Sequence, residues 1–221
     1  MKDLAYHFGN RNDQNVVFGF PNCVHFGDQI AFINVVKNLN LQSYKINPGS
    51  QSFYGQECGS EICSQFFDKS IITDEPATHH FHADSGVLTD AYNCIYHKIP
   101  HPNNAIRKYI TYSFGSKSGS EEKTPPYLEE LSITLKSKYG VDIVVEIGPQ
   151  IGIKKSIDYL MNSKIFIGLD NGASHLCRCT DTPAIIIEHL RNLERGFPSN
   201  CYSYMKATSM NSVLDQVSQI I

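Results

Sequence analysis

Three short stretches of this 221-residue chain combine residue types that could hold or move charge. The first is Ile167-Gly168-Leu169-Asp170-Asn171-Gly172-Ala173-Ser174-His175-Leu176, an apolar strand that turns at Asp-Asn-Gly and opens a helix. Backbone N–H groups of Gly172, Ala173 and Ser174 would point out of that helix start and offer a pocket for a diphosphate. Gly172 lets a ligand come close to the backbone, and His175 in the first turn could reach a phosphate oxygen or a sugar hydroxyl. The same residues fit a purely structural reading, in which Asp170 or Asn171 is an N-cap and His175 is half-buried.

The second stretch is His25-Phe26-Gly27-Asp28-Gln29-Ile30, again between a strand and a helix. A carboxylate at Asp28, projecting from the strand end, could act as general base on an acceptor hydroxyl. Helix capping is the competing account, since an acidic side chain is favoured at a helix start in any case. The third stretch is Phe114-Gly115-Ser116-Lys117-Ser118-Gly119-Ser120-Glu121-Glu122-Lys123. The hydroxyl of Ser116, the backbone amides and the ammonium groups of Lys117 and Lys123 could contact a nucleotide diphosphate. The order of residues is not that of a Walker loop, and a solvated loop fits it equally.

The elements that must place these stretches are easier to read in the second half. Lys108–Phe114 alternates like a strand. Pro125-Pro126 suits the first turn of a helix running to Tyr139, with Leu128, Leu131 and Leu135 on one face and Gly140 as its end. Strands follow at Val141–Ile147, Lys164–Leu169 and Ala184–Ile187, with helices at Ile153–Asn162, Ala173–Cys179 and Ser212–Ile221. Continuous apolar strands alternating with helices describe a parallel sheet covered on both faces. In the first half, Val16–Phe20, Tyr44–Ile46 and Ser70–Ile72 read as strands, Gln29–Leu39 as a helix and Asp90–Ile95 as a short helix, while Pro48–Phe66 has loop composition. Pro100, Pro102, Asn103 and Asn104 mark the best linker, giving an acceptor-side domain over 1–104, a nucleotide-binding domain over 105–207 and a closing helix over 208–221.

Bulk properties exclude some classes. A net charge of −3 gives no general attraction to nucleic acid or anionic membranes. No apolar run is long enough to cross a membrane and the first residues do not read as a signal peptide, so a cytoplasmic protein without a membrane span is expected. The seven cysteines are irregularly spaced and read as free thiols. Zinc is the rival chemistry: His79, His80 and His82 with the Cys58/Cys63 and Cys177/Cys179 pairs supply ligand types, though in no paired zinc pattern. No metal site is expected.

Taken together these stretches resemble glycosyltransferase family nine, the ADP-heptose:lipopolysaccharide heptosyltransferase family. The resemblance lies in Gly27-Asp28 at the start of the first long helix. It lies also in the block from Tyr159 to Leu176 followed by Thr182-Pro183 and a strand. It implies an α/β GT-B-like fold of two Rossmann-like parallel domains facing across a cleft. It further implies an inverting, metal-independent enzyme that moves a sugar from a nucleotide-diphosphate donor to an acceptor hydroxyl, with no cofactor beyond that co-substrate. By the same resemblance Asp28 matches the catalytic base. Asp170, Gly172 and His175 match donor-binding positions, with Asn171 and Ala173 in the same turn. Lys123 is the nearest match to a phosphate-contacting lysine, and Lys117 is its rival. Asn171 stands where the family carries Ser or Thr, and the chain is short in its first half, so the acceptor is the least transferable property. Two alternatives stay open: a module that binds sugar nucleotides without catalysis, and an enzyme of this fold acting on hydroxymethylated DNA bases through a basic face formed by Lys37, Lys45, Lys98, Arg107 and Lys108.

Overall fold

The structure, a computed structural model, describes residues 16–19, 26–39, 41–49, 52–54, 57–80, 96–100, 106–115, 124–187 and 204–221. The chain divides into two compact units, Met1–Ile99 and Pro100–Ile221.

Unit 1 is built on a short parallel sheet. β1 (Val17–Gly19) pairs on one side with β2 (Lys45–Asn47) and on the other with β5 (His79–His80). Between β1 and β2 runs helix α1 (Phe26–Asn38), whose residues are buried without a break from Phe26 to Val36. A helix apolar nearly all round can only be a core helix, yet it carries three buried polar residues, Asp28, Gln29 and Asn34. Asn34 is satisfied: its Nδ2 donates to the Ile30 carbonyl at 2.8 Å, and its Oδ1 accepts from the His97 backbone at 2.6 Å. After β2 the chain forms a two-stranded antiparallel hairpin, β3 (Ser52–Tyr54) and β4 (Glu57–Cys58), and then helix α2 (Gly59–Cys63). These fill the stretch whose composition suggests only loop. The strand expected at Ser70–Ile72 is instead a 3-10 turn over Lys69–Ile71, capped by the Asp68 side chain on the Ser70 amide at 2.9 Å. That bond holds the Asp68 carboxyl below its ordinary pKa. Only Ile72 reaches the sheet, as a single parallel bridge to Ile46. The helix expected at Asp90–Ile95 lies outside the described residues.

Unit 2 has a five-stranded, wholly parallel sheet in the order β7-β6-β8-β9-β10. The strands are β6 (Tyr109–Ser113), β7 (Val144–Glu146), β8 (Ser163–Gly168), β9 (Ala184–Ile187) and β10 (Tyr204–Ala207). The helices are α3 (Leu128–Tyr139), α4 (Ile153–Met161), α5 (Gly172–Arg178) and α6 (Met210–Ile220). β10 has no strand pattern in the sequence. The strand expected from Val141 begins only at Val144, because residues 141–143 form a turn after Gly140. Gly140 sits at φ 98°, a conformation that strains any residue with a Cβ, and its amide closes α3 by donating to the Lys136 carbonyl at 2.9 Å.

One face of this sheet is packed by α3 and α6. Ile110, Tyr112, Val144, Ile165, Ile167, Ile185 and Ile187 meet Leu128, Leu131, Leu135, Val213 and Val217 there. Ile165 lies on the central strand and is wholly buried. Ile165→Ala should cost about 2–5 kcal/mol, transfer plus cavity. Urea unfolding followed by circular dichroism measures it, and a loss below about 1 kcal/mol would show that this site collapses around the gap.

Candidate functional site

In sequence order the five strands of unit 2 stand 2-1-3-4-5, the flavodoxin-type doubly wound order. Such a sheet reverses winding direction between its first and third strands, here β6 and β8. Ligands of these sheets bind at that point, beyond the carboxyl ends of the strands. The candidate turn Asp170–His175 lies there, directly after β8.

Asn171 organises the turn. It has extended backbone angles, φ −146° and ψ 178°, and is the N-cap of α5. Its Oδ1 accepts from the amides of Ala173 at 3.1 Å and Ser174 at 3.2 Å. The Asn171 amide in turn donates to Ser174 Oγ at 3.2 Å, completing a capping box. Its Nδ2 faces the other way, donating to the Ser113 carbonyl at 3.1 Å, to Ser113 Oγ at 3.3 Å and to the Gly115 carbonyl at 2.9 Å. One side chain therefore ties the exit of β6 to the start of α5 across the switch point. The choice between Asp170 and Asn171 as cap is resolved for Asn171. The amides of Ala173 and Ser174, expected to point outward, are taken by the cap. Gly172 keeps an amide with no partner among the described residues.

His175 is one turn into α5 and only 4% exposed. Its Nε2 lies 3.9 Å from Asp170 Oδ1, and the Asp170 side chain is one-third exposed. The histidine is thus fully packed, more so than the half-buried side chain of the structural reading. Gly168 ends β8 under the Phe166 ring, where a Cβ would meet ring atoms at 2.5 Å. A side chain there would have to displace the buried Phe166 ring. Ser116, Lys117 and Lys123 lie outside the described residues. The structure fixes the residue before them, Gly115, through Asn171.

Beside the exit of β6, Tyr112 and Phe114 pack ring to ring at 4.8 Å, and Lys136 Nζ sits 5.5 Å over the Tyr112 ring. Hydrogen bonding to the Tyr112 side chain, with a smaller contribution from the Glu146 charge, holds Lys136 above its ordinary pKa. The Tyr127 hydroxyl is buried without a hydrogen-bond partner among the described residues, and burial raises its pKa.

Asp28 belongs to unit 1, in the first turn of α1, and is 5% exposed. It stands inside the helix. Gln29, for which the sequence offers no signal, follows it with both amide atoms buried and without a hydrogen-bond partner among the described residues. Only the packing reveals that residue. The thiols of Cys177 and Cys179 are turned to the carbonyls of Thr182 and His175 and are not turned to each other. Among the described residues no three His, Cys, Asp or Glu side chains converge to hold a metal, and no helix is long and apolar enough to cross a membrane. Of the lysines and arginine considered as a basic face, Lys37 lies over the Phe67 ring and Lys45 pairs with Glu75. Arg107 donates to the Asp181 carbonyl, and Lys108 lies over the Tyr109 ring.

A doubly wound α/β unit with a capped turn at its switch point is a common frame for nucleotide ligands. Known structures make the fold more specific: it is like that of solved glycosyltransferases, heptosyltransferases among them. It is similar to the bacterial iron-containing dodecameric glycosyltransferase TibC from enterotoxigenic E. coli H10407, at 15% identity and a TM-score of 0.55 over 89% of this chain and 63% of TibC. It is similar also to the E. coli heptosyltransferase WaaC with ADP, at 11% identity and a TM-score of 0.52 over 93% of this chain and 99% of that one. A third is the glycosyl transferase family 9 protein from Veillonella parvula DSM 2008, at 12% identity and a TM-score of 0.51 over 97% and 92%. The chain spans less than two-thirds of the length of TibC. No family model and no curated protein matches the sequence.

The clasp made by Asn171 leads to a specific prediction. Asn171→Asp keeps an oxygen for the cap but sets the second carboxylate oxygen against the Ser113 and Gly115 carbonyls, where no donor remains. It should lower the melting temperature more than Asn171→Ser, which keeps a capping hydroxyl and removes the conflict. Equal melting temperatures of the two variants in a calorimetric comparison would mean that the Ser113 and Gly115 carbonyls do not oppose the carboxylate.

Proposed function

We propose that this chain is a glycosyltransferase that moves a sugar from a nucleotide-diphosphate donor to an acceptor hydroxyl, with inversion and without a metal ion, in a GT-B arrangement of its two units. The observation that carries the reading is the placement of the Asp170–His175 turn at the β6/β8 switch point of a fold shared with family nine transferases. Further support is that two of the similar structures are described with ADP or ADP-D-β-D-heptose bound.

In this reading the donor diphosphate lies at the carboxyl edge of unit 2. The Gly172 amide, His175 and the cations of Lys117 and Lys123 meet its charge, with the Ser116 hydroxyl beside them. Asn171 and Ala173 form the frame, and Asp170 orients His175. Asp28 takes the proton from the acceptor hydroxyl while that oxygen attacks the anomeric carbon. The new C–O bond forms as the bond to the diphosphate oxygen breaks, the electron pair leaves with the diphosphate, and the configuration inverts. Groups already fixed before reaction stabilise the leaving charge without reorganisation. The sequence has no Asp-x-Asp carboxylate pair of the kind that bridges a divalent ion to a diphosphate, and this supports the metal-free form.

A thermal-shift screen against ADP, UDP, GDP and their sugars tests the donor half. A ligand at 100 times its dissociation constant adds about 2.7 kcal/mol to stability, so a clear rise in melting temperature is expected for one nucleotide class. Gly172 does not occupy a positive φ, so Gly172→Val should fold and lose that rise. Asp28→Asn should keep the rise and lose turnover by about 10²–10⁴-fold. A chain that answers to no diphosphate nucleotide is not a transferase of this kind.

A further inference from the structure

We propose that Asn171 is a positioning residue for the donor: it makes no contact with the nucleotide and acts on it through His175, which it holds in place. The inference rests on the transferase reading above, in which His175 meets the charge of the diphosphate. The residue types of the turn place Asn171 among the donor-binding residues, but its polar atoms are committed elsewhere.

An asparagine side chain has two hydrogens to donate and two lone pairs on its oxygen. Both lone pairs are used, because Oδ1 accepts from the amides of Ala173 at 3.1 Å and Ser174 at 3.2 Å. Both hydrogens are used as well. Nδ2 donates to the Gly115 carbonyl at 2.9 Å and to the Ser113 carbonyl at 3.1 Å, with Ser113 Oγ sharing at 3.3 Å. The main chain is equally committed. The Asn171 amide donates to Ser174 Oγ at 3.2 Å, and its carbonyl accepts from Ser174 Oγ at 2.6 Å and from the amides of Ser174 at 3.2 Å and His175 at 3.3 Å. A phosphate could bond to Nδ2 only by displacing a backbone carbonyl, which would lose the partner it has.

The bond from the His175 amide runs directly from this clasp to the residue that carries the imidazole. The ring faces Asp170, the neighbour of Asn171 in sequence, with Nε2 3.9 Å from Oδ1. The His175 carbonyl accepts from Cys179 Sγ at 3.7 Å and the residue is buried, so the ring moves only as α5 moves. Helix α5 has seven residues, too few to hold a helical conformation without tertiary support. Asn171 sets its start against the exit of β6. A serine or threonine would keep a capping oxygen but has only one hydrogen to give the two carbonyls. Freed from β6, α5 would let the imidazole drift from the switch point, and a misplacement of about 1 Å is enough to cost about 10²-fold in a catalysed rate.

The test is a double-mutant cycle on nucleotide binding in the full chain. ADP, UDP and GDP are the probes, titrated by calorimetry to millimolar concentration, below the melting temperature of every variant. Asn171→Ser should weaken the diphosphate that the unaltered chain binds by about tenfold, within the range of coupled neighbours. In a His175→Ala background the same substitution should weaken it by less than about twofold, because the residue through which it acts is gone. Asn171→Gly, which leaves an acceptable N-cap, should show the same pattern and replaces the serine variant if that one does not fold. Equal losses in the two backgrounds, or no loss from either Asn171 variant, overturn the inference and leave the transferase reading intact. Failure of the unaltered chain to bind any of the three nucleotides overturns both.

Discussion

The organisation of unit 2 depends on the Asn171 side chain. A parallel sheet of this order opens a crevice where β6 and β8 part company, and nothing in the strand ladder holds their exits together beyond the last paired residues, Ser113 and Gly168. Asn171 supplies the missing link. Its carbonyl oxygen takes two orphan amides of α5, and its amino group takes the backbone of the β6 exit. A serine or threonine has the oxygen to cap but only one hydroxyl hydrogen, and cannot satisfy both carbonyls at once. Asparagine therefore makes more bonds at this point than a serine or threonine could make.

Unit 1 solves a different problem with fewer residues. Its sheet is three short strands, too small to cover a helix by itself, yet α1 is buried from Phe26 to Val36. Burying such a helix places polar groups in the core, where each unpaired one costs about 1–3 kcal/mol. Asn34 is satisfied by His97 and Ile30, bonds that tie the last residues of the unit to the middle of the helix. Gln29 has no such compensation among the described residues. Residues held at a cost beside a candidate base are the ones for which a ligand is the natural explanation.

How much of this could be read from sequence follows the strength of the local signal. In unit 2 the strands are continuous Ile, Val and Phe runs, and α3 has Leu128, Leu131 and Leu135 on one face, so periodicity and burial agree. β10 escapes because Tyr204-Met205-Lys206-Ala207 is neither alternating nor uniformly apolar; it is a strand only because β9 is beside it. Ser70–Ile72 misleads for the opposite reason: two adjacent isoleucines look like a strand, but Asp68 caps a 3-10 turn first and leaves one residue to pair. At the candidate site, the strand–turn–helix at Asp170–His175 is legible from Asp-Asn-Gly. The direction in which Asn171 points its amide is not, because its partners Ser113 and Gly115 lie 58 and 56 residues away.

That direction also redistributes the chemistry. With the Ala173 and Ser174 amides held by the cap, the start of α5 presents Gly172 alone from its first turn, so the helix end cannot by itself carry the charge of a leaving diphosphate. On the transferase reading the remainder falls to His175, held against Asp170, and to the segment that begins at Gly115. Both are set by Asn171: it caps the helix on which His175 rides, and it holds the carbonyl from which the Ser116–Lys123 segment departs. A single side chain thus fixes the spacing between the imidazole and the origin of the segment that carries Lys117 and Lys123. Electrostatic stabilisation of a developing charge depends on that spacing being settled before the bond breaks.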